Sequence, residues 1–291
     1  MPELRLKEYS ALVESGLNGL FPQEACRHGK IFEACRYSLL AGGKHIRAAL
    51  LLEFYRLCGG RAEDAIPFAC GLEMIHTYSL VHDDLPCMDN DDFRRGKPSN
   101  HKVYGETMAT LAGDALLNRA FEVMLEQTAV PAERAVKAAA YISRCSGVYG
   151  MIGGQVQDLG MEGRPATLEE LREMVSLKTG ALIRAACAAG VLLAGGSEEQ
   201  KKAAEDYAAA VGLAFQIQDD ILDVVGDQAV LGKAIGSDVA NEKTTFVSVY
   251  GLETCRSMVR NLTMEAEAAA ETFADGGFLK NLAGYLAKRD N

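Results

Sequence analysis

Two clusters of aspartates are the residues whose type and spacing point most directly to chemistry. Their members are Asp83, Asp84, Asp89, Asp91 and Asp92 in the first cluster and Asp219, Asp220 and Asp223 in the second. Carboxylates this close together repel one another and need a compensating cation. Oxygen ligands without histidine or cysteine suit magnesium, which binds through one or two carboxylates, water and substrate phosphates. Both clusters are therefore candidate magnesium sites, and a solvated acidic loop is the alternative for the first taken alone.

The sequence around each cluster favours a site inside the protein. The apolar, helical segment 74–81 runs directly into the first cluster. In the second cluster Asp219 and Asp223 are four residues apart and share one helix face, with Gln216 one turn earlier. Apolar residues lie between them, so we expect these carboxylates to face an internal cavity. Buried acids need a counter-charge, and a metal-bound diphosphate would supply one.

Several lysines and arginines could hold that diphosphate. They are Lys44, Arg47, Arg94, Arg95, Lys178, Lys233 and Lys243. The side chains of the adjacent Arg94 and Arg95 diverge, so each can serve a different anion. Any one such residue is more often a solvated surface charge. Together they predict two phosphate-binding groups, because guanidinium groups match phosphate oxygens well.

His76 lies seven residues before Asp83, two turns earlier on the same helix face. With Glu73 it forms a Glu-x-x-His pattern, which in pairs marks a di-iron carboxylate bundle. None of the other four histidines has a glutamate three residues before it. The sequence therefore argues against a di-iron centre.

The elements that must position these residues are helices. Apolar residues recur at three- and four-residue intervals in 65–81, 108–125, 132–148 and 168–193. Thr167 with Glu170 and Ser197 with Gln200 are capping-box patterns that begin helices. No hairpin signal and no useful alternating strand pattern is present. We predict an all-α chain, residues 1–291 forming one domain: a large helical bundle of ten or more helices.

Composition restricts the function classes. A net charge of −10 argues against a nucleic-acid-binding protein, which usually has a basic face. The eight cysteines contain no CxxC pair and indicate buried thiols in a reducing compartment. No signal peptide and no run of about 18 apolar residues is evident, which predicts a cytoplasmic protein without stable membrane insertion.

Five motifs in this order resemble the trans-isoprenyl diphosphate synthases (the polyprenyl synthetase family), closest to bacterial farnesyl diphosphate synthases. The resemblance runs over most of the chain, from about Ser38 to Gly251. The motifs are Gly42-Gly43-Lys44-His45-Ile46-Arg47, Asp83-Asp84-x4-Asp89 with Arg94-Arg95-Gly96-Lys97-Pro98, Gly154-Gln155-x2-Asp158, Lys178-Thr179-Gly180, and Phe215-Gln216-x2-Asp219-Asp220-x2-Asp223.

The resemblance implies an all-α fold around a deep central cavity, a homodimer, and magnesium as cofactor. It implies three ions per site with substrate bound and manganese as a substitute. The implied metal ligands are Asp83, Asp84, Asp89, Asp219, Asp220 and Asp223. The residues implied for the allylic diphosphate are Arg94, Lys178, Lys233 and Lys243, and those for isopentenyl diphosphate are Lys44, Arg47, His76 and Arg95. Thr179 and Gln216 would line the reacting carbons. The departing diphosphate is our hypothesis for the proton acceptor.

Product length is predicted from Tyr78, five residues before Asp83 and about 7–8 Å down the helix. A bulky ring there could form the floor of the chain pocket, and the neighbouring Ser79 is small. In the family an aromatic residue here accompanies the farnesyl product, made from dimethylallyl and geranyl diphosphate. A core role for Tyr78 is the alternative.

Three kinds of protein are alternatives to a farnesyl diphosphate synthase. A geranylgeranyl diphosphate synthase would share every motif. A terpene cyclase normally builds its second metal site from Asn, Ser and Glu, whereas Asp219-Asp220 matches the synthases. A non-catalytic subunit of a heteromeric synthase would be expected to have lost a cluster or its cations.

Overall fold

The computed structural model describes residues 2–22, 26–225 and 244–288. The elements in chain order are α1 (Pro2–Asn18), α2 (Gly29–Leu39), α3 (Ile46–Leu57), a 3-10 turn (Ala62–Ala65), α4 (Ile66–Asp83), β1 (Phe93–Arg94), β2 (Lys97–Pro98), α5 (Asn100–Tyr104), α6 (Glu106–Glu126), α7 (Ala132–Ser146), α8 (Met151–Met161), α9 (Leu168–Val175), a π-helical segment (Ser176–Gly180), α10 (Ala181–Ala194), α11 (Glu198–Val225), α12 (Phe246–Tyr250), α13 (Leu252–Ala270) and α14 (Gly277–Ala287). The predicted all-α class is confirmed.

The expectation that the chain has no hairpin is wrong at one place. Strands β1 and β2 pair antiparallel, with Phe93 opposite Pro98 and Arg94 opposite Lys97. The turn residues Arg95 and Gly96 have φ values of 53° and 72°. Two successive positive φ values are typical of the type I′ turn, whose twist matches that of the strands. Strands of two residues are too short to show an alternating pattern.

The chain divides into two compact units. The N-terminal unit comprises Glu3–Ala139 with Leu192–Ala194, and the C-terminal unit comprises Ala140–Val191 and Gly195–Asn291 with the first two residues. The single-domain expectation stays a prediction.

The centre of the N-terminal unit is α4. Most of its residues are buried, including Phe68, Leu72 and Met74. It packs most extensively against α6 and also contacts α2 and α3. Since α4 ends at Asp83, burial of this apolar helix fixes the position of the first aspartate cluster.

The C-terminal unit is built around α11, which packs along α13. Its core includes Val175, Ile217, Phe246 and Val259. The predicted capping boxes are confirmed: Glu170 N donates to Thr167 Oγ1 at 3.2 Å, and Gln200 N donates to the Ser197 hydroxyl at 3.1 Å.

The segment Leu168–Ala194 forms one helix of 27 residues that includes the π-helical segment. By length and composition alone it could cross a membrane, with a mean hydropathy of 1.5 over its most apolar window. However, 61% of that window is buried inside the protein, as in a core helix.

The cysteines are only partly as expected. Cys35, Cys70, Cys145, Cys187 and Cys255 are buried free thiols, whereas Cys26 and Cys87 are exposed. Burial raises the pKa of Cys35 to about 12, which keeps this thiol protonated.

Gly154 allows α8 to lie against the π-helical segment. A Cβ atom at this position would lie 2.2 Å from Lys178 N and 2.6 Å from Lys178 Cα. The glycine at this position therefore allows the backbones of two helical segments to approach closely.

We predict that Gly154→Ala lowers the midpoint of thermal unfolding, because two backbones must separate, at a cost of about 1–3 kcal/mol. Gly160→Ala in the same helix is the matched control, since its Cβ would have nothing within 4 Å. That control should leave the midpoint unchanged or raise it, because alanine is the better helix former. Equal midpoints for the two variants would contradict the packing role of Gly154.

Candidate active site

Arg94 fixes the buried member of the first aspartate pair. Asp84 is 2% exposed, and its Oδ1 accepts hydrogen bonds from Arg94 Nε at 2.9 Å and Nη2 at 2.5 Å. Arg94 Nη2 also donates to Asp91 Oδ2 at 2.9 Å. Burial raises the pKa of Asp84, and the Arg94 guanidinium acts against this shift by stabilising the carboxylate. Asp84 thus ties the hairpin to the end of α4, and its assignment as a metal ligand stays a prediction.

The loop after α4 brings the backbones of Asp83 and Asp89 together. The Asp89 backbone N–H donates to the Asp83 carbonyl oxygen at 2.9 Å. Asp83 is half-buried and Asp89 is exposed. Across residues 2–22, 26–225 and 244–288, no three His, Cys, Asp or Glu side chains form a complete metal cage. The hard oxygen donors of Asp83 and Asp89 fit magnesium, which binds through one or two carboxylates together with water and substrate phosphates.

A basic group forms where α3 begins. Arg47 Nη1 lies 3.3 Å from His76 Nε2, and Arg95 donates to the Gly42 carbonyl oxygen. Arg47 Nε is buried and has no hydrogen-bond partner in the described part of the chain. Lys44 is exposed on the same segment. The predicted divergence of the two arginines is confirmed, since Arg94 turns to Asp84 and Arg95 to Gly42.

His76 is neutral in this setting. Burial lowers its pKa well below the usual range, and the positive charge of Arg47 lowers it further. A neutral imidazole can accept the Arg47 hydrogen bond through Nε2. The basic group thus keeps its charge on Arg47, Arg95 and Lys44.

Tyr78 is a buried side chain in α4, 6% exposed. Its ring packs edge-on against His82 with centroids 5.8 Å apart. His82 Nε2 in turn lies 2.9 Å from the Thr110 carbonyl oxygen on α6. The Ser79 hydroxyl is engaged locally, donating to the His76 carbonyl oxygen at 2.9 Å. Tyr78 therefore has a fixed, bulky side chain just over one turn before Asp83.

In the second aspartate pair, too, the second member is buried and hydrogen-bonded by the fold. Asp220 is 5% exposed; its Oδ1 accepts from Gln216 Nε2 at 3.1 Å and its Oδ2 from the Phe246 backbone N–H at 2.7 Å. The hydrogen bond from Phe246 fixes the first residue of α12 against α11. Asp219 and Asp223 are half-buried, one turn apart on α11. The roles of all three as metal ligands stay predictions.

Lys178 lies in the π-helical segment, a local widening of the helix that is frequent at functional sites. Its Nζ donates to Asp158 Oδ2 at 2.5 Å. The next residue, Thr179, has its hydroxyl 3.4 Å from Gln216 Oε1. These residues and Asp220 line a cavity of about 180 Å³ in the C-terminal unit.

The sequence shows the Gly154-Gln155-x2-Asp158 motif but assigns no role to Asp158. Asp158 follows Gly154 by four residues, and Gly154 is where α8 contacts the π-helical segment, so this spacing could have indicated the pairing with Lys178. Lys233 and Lys243 lie outside the described residues.

Comparison with known proteins identifies a family over most of the chain. The polyprenyl synthetase family model matches residues 28–275. A geranylgeranyl diphosphate synthase from Cyanophora paradoxa is 45% identical over 289 residues, covering 98% of this chain and 96% of the relative. A farnesyl diphosphate synthase from Micrococcus luteus is 44% identical over 278 residues, covering 95% and 94%.

Solved structures of prenyl synthases have the same fold as this chain. The crystal structure of an FPP/GFPP synthase from Zymomonas mobilis has a TM-score of 0.89 and 32% sequence identity, with 98% of each chain covered. Prenyl synthases of this kind generally depend on divalent metal ions. The resemblance noted in the sequence is confirmed, and the chain belongs to the polyprenyl synthetase family of prenyltransferases.

Proposed function

We propose that this protein condenses isopentenyl diphosphate head-to-tail with dimethylallyl and geranyl diphosphate to give farnesyl diphosphate. The observation that carries the proposal is the first aspartate cluster, where a backbone hydrogen bond joins Asp83 and Asp89 while Asp84 holds Arg94 in place. A pair of hard oxygen ligands next to a fixed guanidinium is suited to a metal-bound diphosphate.

Asp83, Asp89 and Asp219 are the proposed main magnesium ligands, with Asp84, Asp220 and Asp223 in support. Magnesium, when bound, supplies charge neutralisation for the leaving diphosphate. Arg94 and Lys178 bind the allylic diphosphate and stabilise the charge that develops as its bond to carbon breaks. Lys233 and Lys243 are proposed to assist from outside the described residues.

Isopentenyl diphosphate is proposed to bind at the basic group of Lys44, Arg47, His76 and Arg95. The buried Arg47 Nε, without a protein partner among the described residues, supports an anion there, since such donors are rarely left unsatisfied. Neutral His76 orients Arg47 rather than supplying charge. Binding both substrates in fixed positions replaces an encounter in solution with an intramolecular step.

Thr179 and Gln216 are proposed to line the reacting carbons, supported by the cavity that both side chains line beside Lys178. The double bond of isopentenyl diphosphate attacks the allylic carbon, and a proton is then lost. We propose that the departing diphosphate accepts it. The protein is proposed to act as a cytoplasmic homodimer.

Geranylgeranyl diphosphate synthase is the second candidate, because the Cyanophora relative has that name at 45% identity. The two candidates share every motif described above. Tyr78 favours the shorter product, since its ring is bulky and buried and its Cα lies about 7–8 Å from that of Asp83 along α4.

We predict that the protein, incubated with magnesium, isopentenyl diphosphate and geranyl diphosphate, releases mainly farnesyl diphosphate. Chromatography of the dephosphorylated products measures this, and addition of EDTA should abolish turnover because the diphosphate loses its counter-charge. Mainly geranylgeranyl product would establish the second candidate. Absence of any condensation product with magnesium present would reject the proposed function.

We predict that Tyr78→Ala shifts the main product from farnesyl to geranylgeranyl or longer diphosphates, because removal of the ring deepens the pocket. The same chromatographic assay reports the chain length. Tyr78→Phe is the matched control, since it keeps the ring and should keep the farnesyl product. If Tyr78→Ala stops at the same length as the wild type, the floor of the pocket lies elsewhere.

A further inference from the structure

Glu73 is a buried carboxylate that the proposed reaction does not use. It lies on α4, one turn before His76, and is 3% exposed. Removing a carboxylate from water is costly unless hydrogen bonds or opposite charge compensate it. The partners of Glu73 therefore indicate what it does.

Both oxygens of Glu73 bind the start of α3. His45 Nδ1 lies 2.8 Å from Glu73 Oε2, and the Ala48 backbone N–H donates to Oε1 at 3.3 Å. An ionised carboxylate only accepts hydrogen bonds, so His45 is the donor. Ala48 is the third residue of α3, where an N-cap side chain normally binds. His45 occupies the N-cap position without making that bond, and Glu73 makes it from α4 instead.

The segment that Glu73 holds has an unusual backbone. His45 has a φ of 43°, in the left-handed region, and Gly42 and Gly43 before it have φ values of 84° and 152°. A histidine in this conformation persists only when its surroundings fix it. Other contacts to the segment are longer or lie at the surface: His45 Nε2 is 3.7 Å from the exposed Glu14 carboxylate, the Ser10 hydroxyl donates to the Lys44 carbonyl oxygen at 3.3 Å, and Arg95 donates to the Gly42 carbonyl oxygen.

Glu73 also opposes the repulsion between two cations. Burial lowers the pKa of Arg47, the Glu73 charge raises it, and the Arg95 charge lowers it. The same glutamate charge raises the pKa of Arg95 against the effect of burial. A fixed negative charge behind these arginines stabilises them while no substrate anion is bound.

We propose that Glu73 is a positioning residue for isopentenyl diphosphate: it fixes the segment 42–47 so that Lys44 and Arg47 present their charges to the diphosphate. Glu73 itself does not contact the substrate. The inference rests on the proposed function, which places isopentenyl diphosphate at this basic group.

The test is steady-state kinetics of Glu73→Gln with each substrate varied in turn. We expect the KM for isopentenyl diphosphate to rise about tenfold, the loss of one charged hydrogen bond. The KM for geranyl diphosphate should change less than about twofold. Glu53→Gln is the matched control, because Glu53 is an equally buried carboxylate, on α3, bonded to Tyr9 at 2.6 Å and to Arg56 at 2.9 Å. It should lower the unfolding midpoint and leave both KM values unchanged.

His45→Asn tests the same contact from the other side, since asparagine tolerates the left-handed conformation. It should raise the KM for isopentenyl diphosphate selectively, and it decides the question if Glu73→Gln does not fold. Three outcomes would overturn the inference and leave the proposed function intact. These are equal rises in both KM values, an unchanged KM for isopentenyl diphosphate, and the same selective rise in Glu53→Gln. A wild-type protein that condenses no substrates would overturn both.

Discussion

The compensation of buried carboxylates is the constraint on which the rest of this structure depends. Each aspartate pair has one member deep in the protein, and in both cases it is the second, Asp84 or Asp220. Asp84 is held by Arg94, and Asp220 by Gln216 and the backbone of Phe246. These bonds anchor the hairpin and the start of α12. The first member of each pair, together with Asp89 and Asp223, is less buried.

This division explains how acidic clusters can sit at the ends of apolar helices. The buried aspartates stabilise the local structure, and this structure positions the less buried ones. Carboxylates also hold the basic residues of the candidate site in position. Asp158 holds Lys178 at 2.5 Å, and Glu73 holds the segment that contains Lys44 and Arg47. Groups of both signs thus have defined positions before any substrate binds, which is what rapid reaction between two bound diphosphates requires.

Local patterns predicted well what local interactions determine. The helices, the two capping boxes and the divergence of Arg94 and Arg95 all follow from spacing within a few residues. The hairpin was missed because its strands are two residues long and its turn is Arg-Gly rather than Asn-Gly. The π-helical segment and the pairing of Lys178 with Asp158 depend on residues 20 apart in sequence and on the close approach of α8 at Gly154. Which aspartate of each pair is buried depends on Arg94 and on Phe246, and spacing alone does not reveal it.

The central claim is that Asp83 binds the allylic diphosphate through magnesium. Calorimetric titration of a non-hydrolysable geranyl diphosphate analogue, with and without magnesium, tests it most directly. We predict that magnesium strengthens binding to the wild type and that Asp83→Asn loses about a hundredfold of this magnesium-dependent affinity while keeping its unfolding midpoint. Asp92→Asn, which removes an exposed acid paired with Lys102 at 2.7 Å, should bind like the wild type. Equal affinity with and without magnesium, or an Asp83→Asn variant that binds as tightly as the wild type, would contradict the account.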